Sequence, residues 1–250
     1  MSITIKTAEQ IEKMRAAGRI LASCHKEVAK LVKPGVTTLE INTFVDEYIR
    51  SHGATPEQVG YRGYPYATCA SVNDVICHGF PNERALVDGD IVTIDMVVNL
   101  NGWLADSAWS YAVGNVSDEA RKLLDVTKES LYLGIEKAVP GNRIGDISNT
   151  IQKFAEGHGY SVVRQFLGHG IGQLMHEDPM VPHFGPAGKG ARIKEGMVFT
   201  IEPMLNVGVY EVFIDPDGWT ARTADGKLSA QYEHTIAITK DGPIILTDQG

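Results

Sequence analysis

The sequence predicts an α/β protein built from two related halves, and three observations lead there. First, residues 89–99 return as 196–206, 107 positions further on. Gly89, Thr93, Ile94 and Asn99 fall on Gly196, Thr200, Ile201 and Asn206, and Asp95 falls on Glu202. Second, residues 34–53 return at 140–159 on an offset of 106. Pro34-Gly35 matches Pro140-Gly141, Glu40 matches Asp146, Tyr48 matches Phe154, and His52-Gly53 matches His158-Gly159. Third, the runs 90–99 and 104–111 flank Asn101-Gly102, a strong hairpin signal. Two motifs on nearly one offset point to duplication within a single domain of residues 1–250, with halves at about 7–114 and 117–248. The period is far too long for a solenoid repeat. Halves packed about a pseudo-twofold axis would turn Asp95 and Glu202 toward each other. Buried like charges repel unless cations lie between them.

The elements follow in order. Thr7-Ala-Glu-Gln10 fits a capping box that opens a helix over about 8–31, in which Ile11, Met14, Gly18, Leu21, Val28 and Leu31 recur at helical spacing. Thr37-Thr-Leu-Glu40 fits a second box, for a helix to about His52. Residues 57–81 hold short β-prone runs among Gly, Pro and Tyr. The hairpin comes next. Ser117-Asp-Glu caps a helix to about Ala138, and another helix covers about 144–157. Strands are expected near 161–168, 175–183, 197–205, 209–214 and 229–239. There is no low-complexity tract or linker.

Composition narrows the function classes. Apolar content of 43% and charged content of 22% are ordinary for a globular protein. The net charge of −8 argues against nucleic acid as the main partner. Cys24, Cys69 and Cys77 lack paired zinc-ribbon spacing, and their odd number suggests reduced thiols and a cytoplasmic setting. The mixed-charge N-terminus does not read as a signal peptide, and no run is long enough to span a membrane.

The hairpin sorts its own residues. With a two-residue loop, Leu100 pairs with Trp103 and Asp106 faces Val97. Asp95 then lies diagonally beside Asp106 on the same face, roughly 7–8 Å away at the backbone. Thr93, Asn99, Ala108 and Ser110 share that face. Val92, Ile94, Met96, Val98, Trp103, Trp109 and Tyr111 take the other, apolar one. A slip of one residue would break this arrangement. In the second half Glu233, in the β-prone run 229–236, is expected to pair with Glu202 as Asp106 pairs with Asp95. His169 stands in Gly168-His-Gly-Ile-Gly172, where glycines let backbone and ring approach a site closely.

Taken singly, each acid would pass as a strand-end or turn residue, and His169 is an even choice between loop and ligand. The conjunction of paired acids in both halves with a glycine-flanked histidine changes that. Asp95, Asp106, His169, Glu202 and Glu233 carry about −4, which two divalent cations would neutralise. Carboxylate-rich ligation with one imidazole favours Mn, Fe, Co or Zn. Such a pair of ions, roughly 3.5–4 Å apart, activates a shared water as hydroxide. His78 and His176 stand near the motifs and are expected to hydrogen-bond a substrate carbonyl and its oxyanion. His52, His158 and His183 read as structural or surface residues, and His234 should point away from Glu233.

These motifs resemble those of the type I methionine aminopeptidases of bacteria, over about residues 5–248. The residues that carry the resemblance are Tyr61-Arg-Gly-Tyr-Pro65, Ser71-Val-Asn-Asp-Val-Ile-Cys-His-Gly79, Gly89-Asp-Ile-Val-Thr-Ile-Asp95, Gly168-His-Gly-Ile-Gly172, Phe199-Thr-Ile-Glu-Pro-Met204 and Ser229-Ala-Gln-Tyr-Glu-His-Thr235. The resemblance implies the pita-bread fold, with pseudo-twofold related halves, a curved antiparallel sheet and flanking helices. It implies two divalent metal ions on Asp95, Asp106, His169, Glu202 and Glu233. It gives Glu202 the proton transfer, His176 the tetrahedral intermediate and His78 the scissile amide. A methionine pocket would match Tyr61, Tyr64, Cys69 and Trp219. Met175 stands where the family often has Phe, Arg62 where His is frequent, and Ala105 where Gly is common. Val181-Pro-His-Phe184 stands where Asn-Tyr often follows the Pro.

The expected activity is removal of the initiator methionine from nascent proteins and peptides with a free N-terminus and a small second residue. The expected enzyme is a monomer that acts in the cytoplasm with transient ribosome association. No cysteine-rich zinc module precedes the catalytic residues, and only 25 residues separate His176 from Glu202, which disfavours the type II insert. The rivals are a proline-directed peptidase of the same fold and a binding module that has lost catalysis.

Overall fold

A computed structural model describes residues 2–250. Helix α1 (Ala8–Leu31) starts where Thr7 Oγ1 accepts the Gln10 N–H and Gln10 returns the bond to the Thr7 N–H. Helix α2 (Thr38–Ser51) starts the same way at Thr37 and Glu40. Each box satisfies N–H groups that a helix end leaves without intrahelical partners. In the second half Ser117 caps α3 (Asp118–Glu136), and the Asp146 carboxylate accepts the Arg143 N–H at the start of α4 (Ile144–Gly157).

The surroundings of α2 and α4 match in detail. Gly35 donates to Leu86 and Gly141 to Ile193, at 2.8 and 3.1 Å. Thr37 bridges to Ala85 and Arg143 to Arg192. His52 Nδ1 bonds the Tyr48 carbonyl and His158 Nδ1 bonds the Phe154 carbonyl, each at 2.8 Å.

Between the helix pairs run β1 (Thr55–Pro56), β2 (Cys69–Val72), β3 (Val75–Cys77), β4 (Ile91–Leu100) and β5 (Trp103–Ala112). The β4–β5 hairpin has the expected register, with Leu100 opposite Trp103 and Val97 opposite Asp106. Val92, Ile94, Met96 and Val98 pack under α1 and α2 with Leu21, Val28, Ile41 and Ile49. Trp103 and Trp109 leave that core. Trp109 meets Tyr232 edge-on at 4.8 Å, and Trp103 packs beside a separate cluster with Met14 and Ile171. At the junction of the halves the outer strand β5 turns its large rings to different neighbours.

The second half continues with β6 (Ser161–Val162), β7 (Gly168–Gly170), β8 (Glu177–Val181), β9 (Val198–Ile201), β10 (Met204–Asn206), β11 (Val212–Ile214), β12 (Ala221–Thr223), β13 (Ser229–Gln231), β14 (His234–Thr239) and β15 (Gly242–Ile245). Every strand pairing among the described residues is antiparallel. Phe199, Ile201, Ile236 and Ile238 pack under α3 and α4. No helix among the described residues is long and apolar enough to cross a membrane.

Several expected strands are corrected. The run 197–205 breaks between Ile201 and Met204, where Pro203 has no N–H to give and the Glu202 N–H turns to His183 Nε2 at 3.0 Å. The run 229–239 breaks at Tyr232-Glu233, where the Glu233 N–H donates to the Ala108 carbonyl at 2.8 Å. The expected strand 161–168 shrinks to Ser161–Val162, and β12 and β15 are short strands that the sequence pattern did not reveal.

Side chains stitch the halves along β5. Ser110 Oγ donates to the Gln231 carbonyl at 2.7 Å, and Ser107 Oγ donates to the Glu233 carbonyl at 2.9 Å. Thr235 Oγ1 accepts the Asp106 N–H at 2.9 Å and donates to the Asp106 carbonyl at 2.8 Å. Substituting Thr235→Val keeps the shape and leaves that buried N–H without a partner. The expected loss is about 1–3 kcal/mol in urea unfolding of the metal-free protein. A change too small to resolve would show that the hydroxyl does not hold the halves.

Candidate metal centre and its cavity

His169 is fixed before any ion is considered. Its N–H donates to Thr200 Oγ1 at 3.0 Å, and its Nδ1 bonds the Gly170 carbonyl at 3.0 Å. A carbonyl only accepts, so Nδ1 carries the proton and Nε2 keeps a lone pair. That nitrogen lies 3.6 Å from Asp106 Oδ2 and 3.7 Å from Glu202 Oε1. The flanking glycines are required by close backbone approach. A Cβ on Gly168 would meet the Thr200 carbonyl oxygen at 2.5 Å, and one on Gly170 would meet that of Asp178 at 2.2 Å. Burial holds the His169 ring neutral, with its pKa pushed down to about 3.

The acids converge on this ring. Asp106, His169 and Glu233 each present a ligand atom within 4.8 Å of the others. Glu202 joins through His169, and Asp95 through a hydrogen bond between its carboxyl and that of Asp106. Glu202 and Glu233 share a similar bond. Thr200 Oγ1 donates to Glu202 Oε1 at 2.7 Å and Gln231 Nε2 to Glu202 Oε2 at 3.4 Å. Two acids that hydrogen-bond each other must retain a proton. Burial accordingly pushes Asp95 up to about 7 and Glu202 up to about 8, and moves Asp106 and Glu233 well upward.

Asp106 Oδ1 and Glu233 Oε1 are buried with no hydrogen-bond partner among the described residues. Orphaned carboxylate oxygens beside a neutral imidazole fit divalent cations better than they fit a dry core. Cys69 is no competing soft ligand, because burial and then Asp95 raise its thiol pKa well above the usual range.

All eleven residues singled out from the sequence line one cavity of about 660 Å³: the four acids and His169, with Tyr61, Tyr64, Cys69, His78, His176 and Trp219. Tyr64 is pinned by bonds to the Thr68 and Gly79 carbonyls, both 3.1 Å, and its ring meets Trp219 edge-on at 5.1 Å. Trp219 reaches this wall from the second half, on an excursion between β10 and β13 that has no counterpart in the tight β4–β5 turn. His78 has φ +57 and meets Phe166 edge-on at 5.1 Å. His176 bonds Tyr61 Oη through Nδ1 at 2.8 Å, and its ring lies 4.2 Å from that of His169.

Sequence reasoning missed several residues here. Thr200 lies two positions before Glu202 on the same strand face, so its alternation could have exposed it. His183, Gln58 and Phe166 gave no such signal. His183 is fully buried behind the wall and touches the Glu202 backbone. Arg62 and Met175 both line the cavity, and Arg62 sits in the left-handed region at φ +49 with its guanidinium 5.4 Å over the Tyr61 ring.

Converging acids and one neutral imidazole at the floor of an aromatic cavity, carried on this mixed antiparallel fold, define a metal-dependent hydrolase of the pita-bread class. Residues 12–240 match metallopeptidase family M24. The chain is 50% identical to methionine aminopeptidase 1 of Bacillus subtilis over 245 residues, 98% of this chain and 99% of that one. It superposes on the crystal structure of methionine aminopeptidase from Rickettsia prowazekii with a TM-score of 0.98 and 46% identity, covering 99% and 100% of the two chains. A prolidase from Pyrococcus furiosus shares the fold at a TM-score of 0.80 and 24% identity, and this chain covers 66% of it. The chain belongs to metallopeptidase family M24, on its methionine aminopeptidase branch.

The raised acids set a pH dependence. Ordinary carboxyls ionise near pH 4, whereas Asp95 and Glu202 stay protonated to about 7 and about 8. The native metal-free protein therefore binds more protons than the unfolded chain above pH 4, and its stability falls as pH rises through that window. Cations require the ionised forms, so metal uptake at pH 7 should release protons and tighten toward pH 8. Titration calorimetry in buffers of different ionisation enthalpy reads this directly. An apparent enthalpy independent of buffer would refute it.

Proposed function

We propose that the chain removes N-terminal methionine from nascent proteins and peptides that have a free amine and a small second residue. Residues 1–250 act as one catalytic domain whose two related halves each supply ligands. The observation that carries this function is a single cavity that holds both an acid-rich floor and an aromatic, sulfur-lined wall. Such a wall suits a flexible thioether side chain. Support also comes from the 50% identity to the Bacillus subtilis methionine aminopeptidase over nearly the whole chain.

Asp95, Asp106, His169, Glu202 and Glu233 would hold two divalent ions, drawn from Mn, Fe, Co or Zn. When bound, those ions supply Lewis acidity toward the substrate amine and carbonyl and make a water nucleophilic. The remaining work falls to side chains. Glu202 takes a proton from the attacking water and delivers it to the leaving amine, held in place by Thr200 Oγ1, which donates to its Oε1 at 2.7 Å. His176 stabilises the carbonyl oxygen as negative charge develops. Tyr61 Oη bonds Nδ1 of His176 at 2.8 Å and so orients the ring, leaving Nε2 free to face the oxyanion. His78 orients the scissile amide. Tyr61, Tyr64, Cys69 and Trp219 enclose the methionine side chain. Burial of the floor leaves little room beside the scissile bond, so a small second residue is preferred. The work on nascent chains is placed in the cytoplasm, by a monomer in transient contact with the ribosome.

The test is methionine release from Met-Ala-Ser and Met-Lys-Ser after chelator treatment, with each metal returned in turn. Release from the first peptide should vanish with the chelator and return with metal, while the second remains poor. Glu202→Gln should lower kcat by about 10²–10⁴-fold, the usual worth of a positioned acid–base. A folded protein that releases no methionine with any metal would refute the proposal. Cleavage of Xaa-Pro peptides in its place would identify a proline-directed enzyme.

A further inference from the structure

Asp95 and Glu202 occupy matching places in the two halves, yet their backbones are held differently. Asp95 lies inside a regular ladder, opposite Cys69 on one side and Ala108 on the other. Glu202 lies just past the end of β9, with Pro203 behind it. On its other side the strand register pairs Gly170 with Phe199, and β7 begins only at Gly168, short of a position opposite Glu202. No strand carbonyl takes the Glu202 N–H. His183 Nε2 takes it, at 3.0 Å.

We propose that His183 is a positioning residue for Glu202, an imidazole acceptor that replaces the missing strand and fixes the direction in which the Glu202 carboxylate enters the site. The proposal rests on the assignment of Glu202 as a metal ligand. A backbone N–H can only donate, so Nε2 offers its lone pair and the proton of the neutral ring lies on Nδ1. That Nδ1 is buried without a partner among the described residues, and the whole side chain is 0% exposed. A buried N–H without an acceptor is unfavourable, and an apolar residue would avoid the penalty. Retaining the ring makes sense only if its other nitrogen does something a leucine could not.

The loop that carries His183 is clamped for this purpose. Ser148 Oγ of α4 donates to the Pro182 carbonyl, Asn149 Nδ2 donates to the Gly185 carbonyl at 3.0 Å, and the Gly185 N–H donates to Gln152 Oε1 at 2.8 Å. Three residues on one helix thus grip both sides of His183. From there the order runs from α4 to loop to His183 to the Glu202 backbone. On the side-chain end Thr200 holds Glu202 Oε1 at 2.7 Å. His183 does not line the cavity, so it acts only through Glu202.

The experiment compares the wild-type protein with His183→Met, which keeps length without a strong acceptor, and His183→Gln, whose Oε1 can reach the Nε2 position. Mn²⁺ binding is followed by calorimetry, Glu202 amide exchange by NMR, and kcat and KM by release from Met-Ala-Ser. His183→Met should weaken Mn²⁺ by about 10–100-fold, the usual effect of losing an outer-shell partner. It should also speed exchange at the Glu202 amide and lower kcat more than it changes KM. His183→Gln should restore all three. Wild-type affinity and exchange in His183→Met would overturn the proposal, as would failure of His183→Gln to rescue in a folded protein. The wild-type ring gives a test that needs no variant: long-range ¹H–¹⁵N spectra should show the proton on Nδ1, and a proton on Nε2 would overturn the proposal. A wild-type protein with that tautomer but no Mn²⁺ binding would instead refute the assignment of Glu202 as a ligand.

Discussion

The fold is organised around an electrostatic conflict. Four carboxyl groups and one imidazole are removed from water at one point, with no basic side chain among the ligand set to answer them. Isolated charges in such a place cost several kcal/mol each. Without cations the acids respond by holding protons and bonding one another, which is why burial heads the causes of every raised pKa there. In the proposed function the same oxygens would become ligands to cations. Tight packing around them would then be tolerable, because the partner of each charge would be an ion and the surrounding walls could be apolar and closed.

A nearly symmetric scaffold delivers an asymmetric site. The helix pairs, their caps and their anchoring turns repeat from one half to the other, and each packs over its own sheet core. The asymmetry enters in two places. In the first half β4 and β5 are joined by a tight turn. In the second, the chain between β10 and β13 travels to the first half, where β12 pairs with β3 and Trp219 meets Tyr64. The other difference lies at the acids themselves. Asp95 is an ordinary strand residue, whereas Glu202 and Glu233 stand in gaps in their ladders. Their N–H groups are given to His183 and Ala108.

This difference explains what the sequence could and could not disclose. The β4–β5 register follows from strict alternation and an Asn-Gly turn, both local, so Asp95 and Asp106 could be placed on one face from sequence alone. The capping boxes at Thr7 and Thr37 are equally local. The gaps at Glu202 and Glu233 are not. Their runs, 197–205 and 229–239, keep β-prone composition throughout, and the N–H groups that leave the ladder find acceptors distant in sequence. Pro203 was the one local warning. His183 was invisible for the same reason: a histidine after a proline in a loop carries no sign that it will serve a backbone amide nineteen residues away. Trp109 illustrates the limit of face assignment. Alternation sets the side of the sheet correctly but does not say which half will cover it.

Burial acts on the two kinds of titrating group in opposite directions, and that opposition divides their labour. It raises acids and lowers imidazoles, because in each case it disfavours the charged form. His169 is pushed to about 3 and His78 to about 4, and His176 is lowered by burial and by Arg62. Burial thus favours the neutral form of all three rings. The Gly170 carbonyl takes the Nδ1 proton of neutral His169 and so fixes that tautomer, and Tyr61 Oη bonds Nδ1 of His176. The orientation of both rings is therefore held by hydrogen bonds. Among the carboxyl groups, Glu202 has Thr200 Oγ1 and Gln231 Nε2 donating to its oxygens, while its backbone N–H donates to His183 Nε2. In the proposed mechanism Glu202 both receives and releases a proton, and such a group gains most from being held still, because each transfer then needs only the proton to move.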